Sequence, residues 1–150
     1  MDELDLKILR CLKENSRMTS SMIGERVNMS VSAVGVRIKK MEQAGIIKQF
    51  TLVIDHKKIG NDVTAFVSVS LEHPKHHDNF IEQVNRNEEV NECHYTTGDL
   101  DFILKVITRS IDRLTDILNE IKLIRGVSFT RTMVVLSTTK DDFTVLPKYV

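Results

Sequence analysis

Apolar residues recur every three or four positions through residue 49, and from about residue 64 the period falls to two. Leu4, Ile8, Cys11 and Leu12 stand at i, i+4, i+7 and i+8, the spacing that lines one face of a helix. The polar run Glu14-Asn15-Ser16-Arg17 ends that helix. A short second helix is predicted from Thr19 or Ser20 to Arg26, with Met22, Ile23 and Val27 on its buried side. Asn28-Met29 then forms a tight turn, and Ser30 is a good N-cap because its hydroxyl can accept from N–H groups of the following turn. The third helix turns Val31, Val34, Ile38 and Met41 inward, and Gly45 closes it as a left-handed cap.

Residues 46–54, IIKQFTLVI, read as β-structure: a short hairpin or wing followed by a linking strand. The polar, turn-rich stretch 55–62 marks a boundary. Beyond it, residues 65–72 alternate like a half-buried strand, and Phe80, Ile81 and Val84 mark a helix. Val90 to Thr97 is a strand, Gly98-Asp99-Leu100-Asp101 a turn, and Phe102 to Thr108 a strongly apolar strand. Ile111, Leu114, Ile117, Leu118 and Ile121 define an amphipathic helix, and Val127 to Thr138 a long final strand. Strand, helix, strand, strand, helix, strand is the ferredoxin-like order, an antiparallel sheet with both helices on one face. The fold class is therefore α+β, with a helix-turn-helix over residues 1–49, a linking strand and hinge over 50–62, and a ferredoxin-like domain over 63–150.

Composition sharpens this division. The 150 residues balance 21 basic against 21 acidic side chains, but residues 1–60 hold 11 Lys/Arg and 7 Asp/Glu (+4), and residues 61–150 hold 10 and 14 (−4). A polyanionic partner is expected for the first half only. In the third helix, the face opposite the apolar stripe carries Ser32, Ala33, Gly35, Val36, Arg37, Lys39 and Lys40, following the Ser30 cap. A helix with an inward apolar stripe and a free outer face suits the DNA major groove. Ser32 can donate or accept at a base edge, and Val36 can pack on a thymine methyl. Arg37, Lys39 and Lys40 are expected at phosphates. Gly35 costs on the order of 1 kcal/mol against alanine inside a helix. Close approach of a partner and tight helix–helix packing both explain that cost, and a plain three-helix bundle with a basic solvated face would also give this pattern.

These residues, taken in order, resemble the leucine-responsive and asparagine-responsive regulator family (Lrp/AsnC). The likeness runs through Leu4-Asp5, Ile8-Leu9, Leu12, Asn15-Ser16-Arg17, Ser30-Val31-Ser32, Arg37 and Gly45-Ile46-Ile47. It continues in residues 95–102, YTTGDLDF, in Gly126-Val127 and in Thr130-Arg131-Thr132. The resemblance implies a winged helix-turn-helix that reads double-stranded DNA, and a ferredoxin-like domain (often called RAM) that binds a small effector, usually an amino acid. It further implies homodimers that assemble into tetramers or octamers. Carried onto this chain, Gly98, Asp99 and Asp101 match the effector turn, with Tyr95, Thr130 and Thr132 on neighbouring strands. A turn between apolar strands offers N–H groups to a carboxylate and a nearby Asp to an ammonium; Asp101 is the residue expected to hold the ammonium. An architectural protein that bends or wraps DNA without an effector is the alternative reading. A third is an amino-acid sensor whose N-terminal module contacts protein.

Other chemistries find little support. His73-Pro74-Lys75-His76-His77 lacks the further ligands of a tetrahedral metal site. No nucleophile–base pair, phosphate loop or dinucleotide fingerprint stands out, so neither catalysis nor a cofactor is expected. Cys11 and Cys93 match no disulfide or metal spacing, and both are expected to be buried thiols. Residues 1–10 are too acidic for a secretory signal, and no apolar run approaches the roughly 18 residues that span a bilayer. A cytoplasmic location without a membrane partner is the expectation.

Overall fold

The computed structural model describes residues 1–149 and divides into two compact units, residues 1–53 with 140–149, and residues 54–139. Three helices build the first: α1 (Glu3–Glu14), α2 (Ser20–Val27) and α3 (Val31–Gln43). Each begins on a side chain that satisfies an otherwise orphaned N–H group. Asp2 and Asp5 form a reciprocal capping box on α1, each carboxylate accepting the other's N–H at 2.9 Å. Thr19 caps α2 and Ser30 caps α3, accepting from Met22 N and Ala33 N. Asn28, with φ 56, makes the left-handed residue that stops α2 and turns the chain into α3.

The core of this unit is Ile8, Cys11, Leu12, Met18, Ile23, Val27, Val34 and Met41, with Leu9, Met29, Ile38 and Ile47 packed against it. Two residues expected inward are not: Met22 is 47% exposed and Val31 54%. Both lie in the first turn of their helices, where the neighbouring helices leave them uncovered. Gly24 is there for packing, since a Cβ would stand 2.6 Å from the Met29 carbonyl oxygen.

The hairpin or linking strand expected over 46–54 does not form within the chain. Ile46 and Ile47 donate back to the Met41 carbonyl, and residues 48–54 join no ladder among the described residues. An extended segment with no neighbouring strand cannot satisfy its backbone by pairing. Phe50, Leu52, Val53 and Ile54 are all exposed. The segment from Lys140 to Tyr149, expected with the second domain, lies against α1. Lys13 Nζ meets Asp142 at 2.9 Å, and Arg10 donates to the Lys148 carbonyl at 3.0 Å.

In the second unit the order is β1 (Val63–Leu71), α4 (His77–Asn85), β2 (Val90–Tyr95), β3 (Phe102–Thr108), α5 (Ile111–Lys122) and β4 (Val127–Val134). The sheet runs β2-β3-β1-β4 with every pair antiparallel, the ferredoxin-like arrangement. Strand alternation sends Val63, Ala65, Val67 and Val69 of β1, with Phe102, Leu104 and Val106 of β3, into a core shared with Phe80, Val84, Leu114, Ile117 and Ile121 of the helices. The opposite face carries Phe66, Ile103, Phe129 and Met133; Phe129 is 49% and Met133 54% exposed. No helix among the described residues is long and apolar enough to cross a membrane.

Candidate DNA-reading helix and effector turn

Helix α3 has about 100° between successive residues, so positions 34, 38 and 41 share one side and positions 32, 36, 39 and 40 the other. Val34 and Met41 are buried, whereas Ser32, Val36, Lys39 and Lys40 are exposed. Ser30 and Ser32 hydroxyls lie 3.2 Å apart at the helix start. Ala33 and Gly35 are half-buried on the flanks. Lys39 and Lys40 have no carboxylate partner among the described residues, unlike Arg26, which pairs with Glu14 at 2.6 Å.

Arg37 departs from the expected role. Its Nη1 donates to Asp2 Oδ2 and Asp5 Oδ1, both at 2.7 Å, and its side chain is 28% exposed. Position 37 is three residues after Val34 and four before Met41, which places it beside the inward stripe rather than opposite it. The guanidinium therefore reaches the capping box of α1 instead of standing free for a phosphate. The carboxyl of Asp2 is held below the ordinary aspartate range, first by the Asp5 N–H and then by the Arg37 guanidinium. The result is a charged clasp between the start of α1 and the middle of α3. The i+3/i+4 relation of Arg37 to Val34 and Met41 is the signal in the sequence that points inward.

The residues expected at an effector fall into three groups. Gly98, at φ 117, opens the turn between β2 and β3 and brings Asp99 and Asp101 to the end of β1. There Asp101 N donates to the Val69 carbonyl at 2.9 Å, and Asp101 Oδ2 accepts the Leu71 N–H at 2.7 Å. Asp101 is thus a fastener of the turn, whereas Asp99 is exposed and its carboxylate has no partner among the described residues. Two residues not singled out in the sequence complete the turn. Thr96 Oγ1 donates to the Leu100 carbonyl at 3.1 Å, and Ser70 Oγ donates to the Asp99 carbonyl at 3.3 Å. Among the described residues, the N–H groups of 97–100 find no acceptor.

Tyr95, Thr130 and Thr132 do not converge on that turn within one chain. Tyr95 pairs with Phe102, Phe102 with Val69, and Val69 with Thr130, so Tyr95 and Thr130 occupy opposite edges of one row across the sheet. Three strand spacings separate them, about 14 Å. Tyr95 instead packs edge-on against His77, at 5.0 Å between ring centroids, and tilts against Phe102 at 5.2 Å.

An open cleft of about 630 Å³ lies at the other end of the β2–β3 hairpin, lined by Glu89, Arg113 and Glu120 among others. Its charges satisfy one another: Arg113 pairs with Glu89 at 2.7 Å and with Glu120 at 2.9 Å, and Thr108 donates to Glu89. Burial works to raise the Glu89 carboxyl, but the Thr108 and Arg113 hydrogen bonds outweigh it and leave the group below its usual range.

Comparison with known proteins bears on both regions. A family description of winged helix-turn-helix DNA-binding domains matches residues 1–48, and that of the Lrp/AsnC ligand binding domain matches residues 64–145. The regulatory protein AsnC of Haemophilus influenzae is 36% identical over 135 residues, 89% of this chain and 90% of that one. The HTH-type transcriptional regulator LrpB of Bacillus subtilis is 38% identical over 121 residues, 81% of this chain and 80% of its own. Among solved structures, Escherichia coli AsnC superposes with a TM-score of 0.87 at 32% identity, covering 94% of this chain and 95% of that one. A Neisseria meningitidis transcriptional regulator in complex with L-methionine gives a TM-score of 0.92 at 28% identity, covering 97% of this chain and 96% of that one. With its helix-turn-helix, its four-stranded ligand-domain fold and these relatives, the chain belongs to the Lrp/AsnC family of DNA-binding transcriptional regulators.

Proposed function

We propose that this chain reads double-stranded DNA through the outer face of α3 and changes its activity or assembly when an amino acid binds at the turn spanning residues 97–101. On DNA, Lys39 and Lys40 meet phosphates, while Ser30, Ser32, Ala33, Gly35 and Val36 face base edges. At the turn, unpaired N–H groups face the effector carboxylate and the free Asp99 carboxylate faces its ammonium. The observation that carries this reading is the pairing of four N–H groups without acceptors with one carboxylate without a donor, on a single turn fastened by Asp101. A Neisseria relative of the same fold was solved with L-methionine, which fits an amino-acid ligand.

The site is completed by a second copy of the chain. The open sheet face exposes Phe129 and Met133 beside the half-buried Phe66 and Ile103, with Lys105 and Arg131 between them, and a second sheet laid on it would bury that apolar surface. Dimerisation also presents two copies of α3, as a two-fold operator requires. Higher even-numbered assemblies follow from pairing of dimers. A thermal-shift screen with the twenty amino acids tests the effector reading, because a ligand of the folded state raises Tm by mass action. One or a few amino acids that raise Tm in wild type but not in Asp99→Asn support it. No shift with any of the twenty, with DNA binding intact, favours an architectural role.

A further inference from the structure

The first unit contains two helical glycines, and their surroundings differ. At Gly24 an added Cβ would strike the Met29 carbonyl, so glycine is required by internal packing. At Gly35 an added Cβ would meet nothing within 4 Å outside the helix's own backbone, and no left-handed φ calls for glycine there. The helix-helix packing explanation for Gly35 therefore fails. A residue that weakens the recognition helix is kept with no compensating contact inside the unit.

Its place on α3 supplies the reason. Residues four apart form rows along a helix, and Gly35 interrupts the row Val31–Gly35–Lys39 beside the row Ser32–Val36–Lys40. The result is a notch walled by Val31, 54% exposed, and Val36, 68% exposed. Arg37 is withdrawn to Asp2 and Asp5. The exposed face around the notch thus holds no Asn, Gln or Arg, the side chains that make two-point hydrogen bonds to adenine or guanine. What an apolar notch recognises in a major groove is the thymine 5-methyl, the one apolar group that base pairs present there.

We propose that Gly35 is the point of closest approach between α3 and DNA, and that it seats a thymine methyl between Val31 and Val36. This rests on the reading that α3 enters the major groove. The test begins with a duplex selected by the full-length wild-type protein from a random pool. Each thymine is then replaced in turn by deoxyuridine, which removes only the methyl group, and binding is compared for wild type, Gly35→Ala and Val36→Ala at one salt concentration. Gly35→Ala should raise Tm by about 4 °C through helix propensity, yet weaken binding to the selected duplex about tenfold. Its affinity for a non-specific duplex should stay within about twofold of wild type, since phosphate contacts set that affinity. At one or two positions the loss of the methyl should weaken wild-type binding about fourfold and leave Gly35→Ala unaffected. Wild-type affinity in Gly35→Ala, or indifference to every thymine methyl, overturns the proposal. A wild-type protein that selects and shifts no duplex in a salt-sensitive way contradicts the DNA reading itself, a separate and recognisable result.

Discussion

Helix α3 and the turn after β2 are both surface elements with unpaired groups, but one draws its residues from a single stretch and the other from across the sheet. All residues that shape the outer face of α3 come from one stretch of thirteen residues, capped by Ser30 and oriented by Arg37 against α1. The residues expected at the effector come from two strands and a turn, and the sheet holds Tyr95 and Thr130 at its two edges. A surface built on one helix needs only the local period and its packing stripe. A pocket built across strands depends on sheet order as well. In the proposal above, the DNA-reading surface is preformed and the effector surface is completed by a second copy.

The comparison is broken most forcefully at the sheet. Met133→Asp places a charge on the apolar open face and should weaken dimerisation by about a hundredfold or more, in the range seen for central interface residues. Light scattering should then report monomer at micromolar concentration, and the amino-acid-induced rise in Tm should vanish. The far-ultraviolet circular dichroism of α1–α3 should persist. A variant that stays dimeric would remove this face from the interface.

The two acids of the turn should separate next. Asp101→Ala leaves the Leu71 N–H without its acceptor and should cost about 1–2 kcal/mol in denaturant unfolding. Asp99→Ala should change stability by less than about 0.5 kcal/mol, as an exposed substitution does, while lowering amino-acid affinity about tenfold in titration calorimetry. If the two variants exchange these effects, their roles are reversed.

Acid sharpens the contrast within the second unit. The folded-state carboxyl of Glu89 titrates below its unfolded value, so it contributes stability above about pH 4.3, the ordinary Glu range. That contribution is lost as pH falls through the folded value. Glu89→Gln should lower Tm at pH 7 and flatten its decline below pH 4.5 or so; an unchanged acid limb would show that other carboxylates dominate it.

The smallest expected effect is at the clasp. Arg37→Gln should lower the Tm of the first unit and leave the salt dependence of DNA binding unchanged, because its charge is spent on Asp2 and Asp5. Asp5→Asn should add little to that loss, since the two groups act as one network. A shallower salt slope in Arg37→Gln would return this residue to the phosphate backbone.

What the sequence disclosed follows the same division. The order of elements in both halves was legible, because helical and strand periods differ and the caps Thr19, Ser30 and Gly45 stand where turns begin or end. Met22 and Val31 carry the right period but lie in first turns with no neighbour to cover them, which periodicity alone does not reveal. The β-like run 46–54 has strand composition without a strand to pair with in its own chain. Arg37 looked like an outward cation because its charge matched Lys39 and Lys40, yet its angle on the helix sets it with Val34. At the turn, Gly98, Asp99 and Asp101 were visible as a group. The fastening bond from Leu71 to Asp101 joins residues thirty positions apart, and only the strand register discloses it.

The most direct test of the central claim, that the free cations of α3 lie on DNA phosphates, is the dependence of the DNA dissociation constant on salt. With Lys39→Ala and Lys40→Ala combined, the slope of log K against log salt should become shallower by about two per chain, close to 0.9 for each phosphate that is no longer neutralised. An unchanged slope in that double variant would contradict the account.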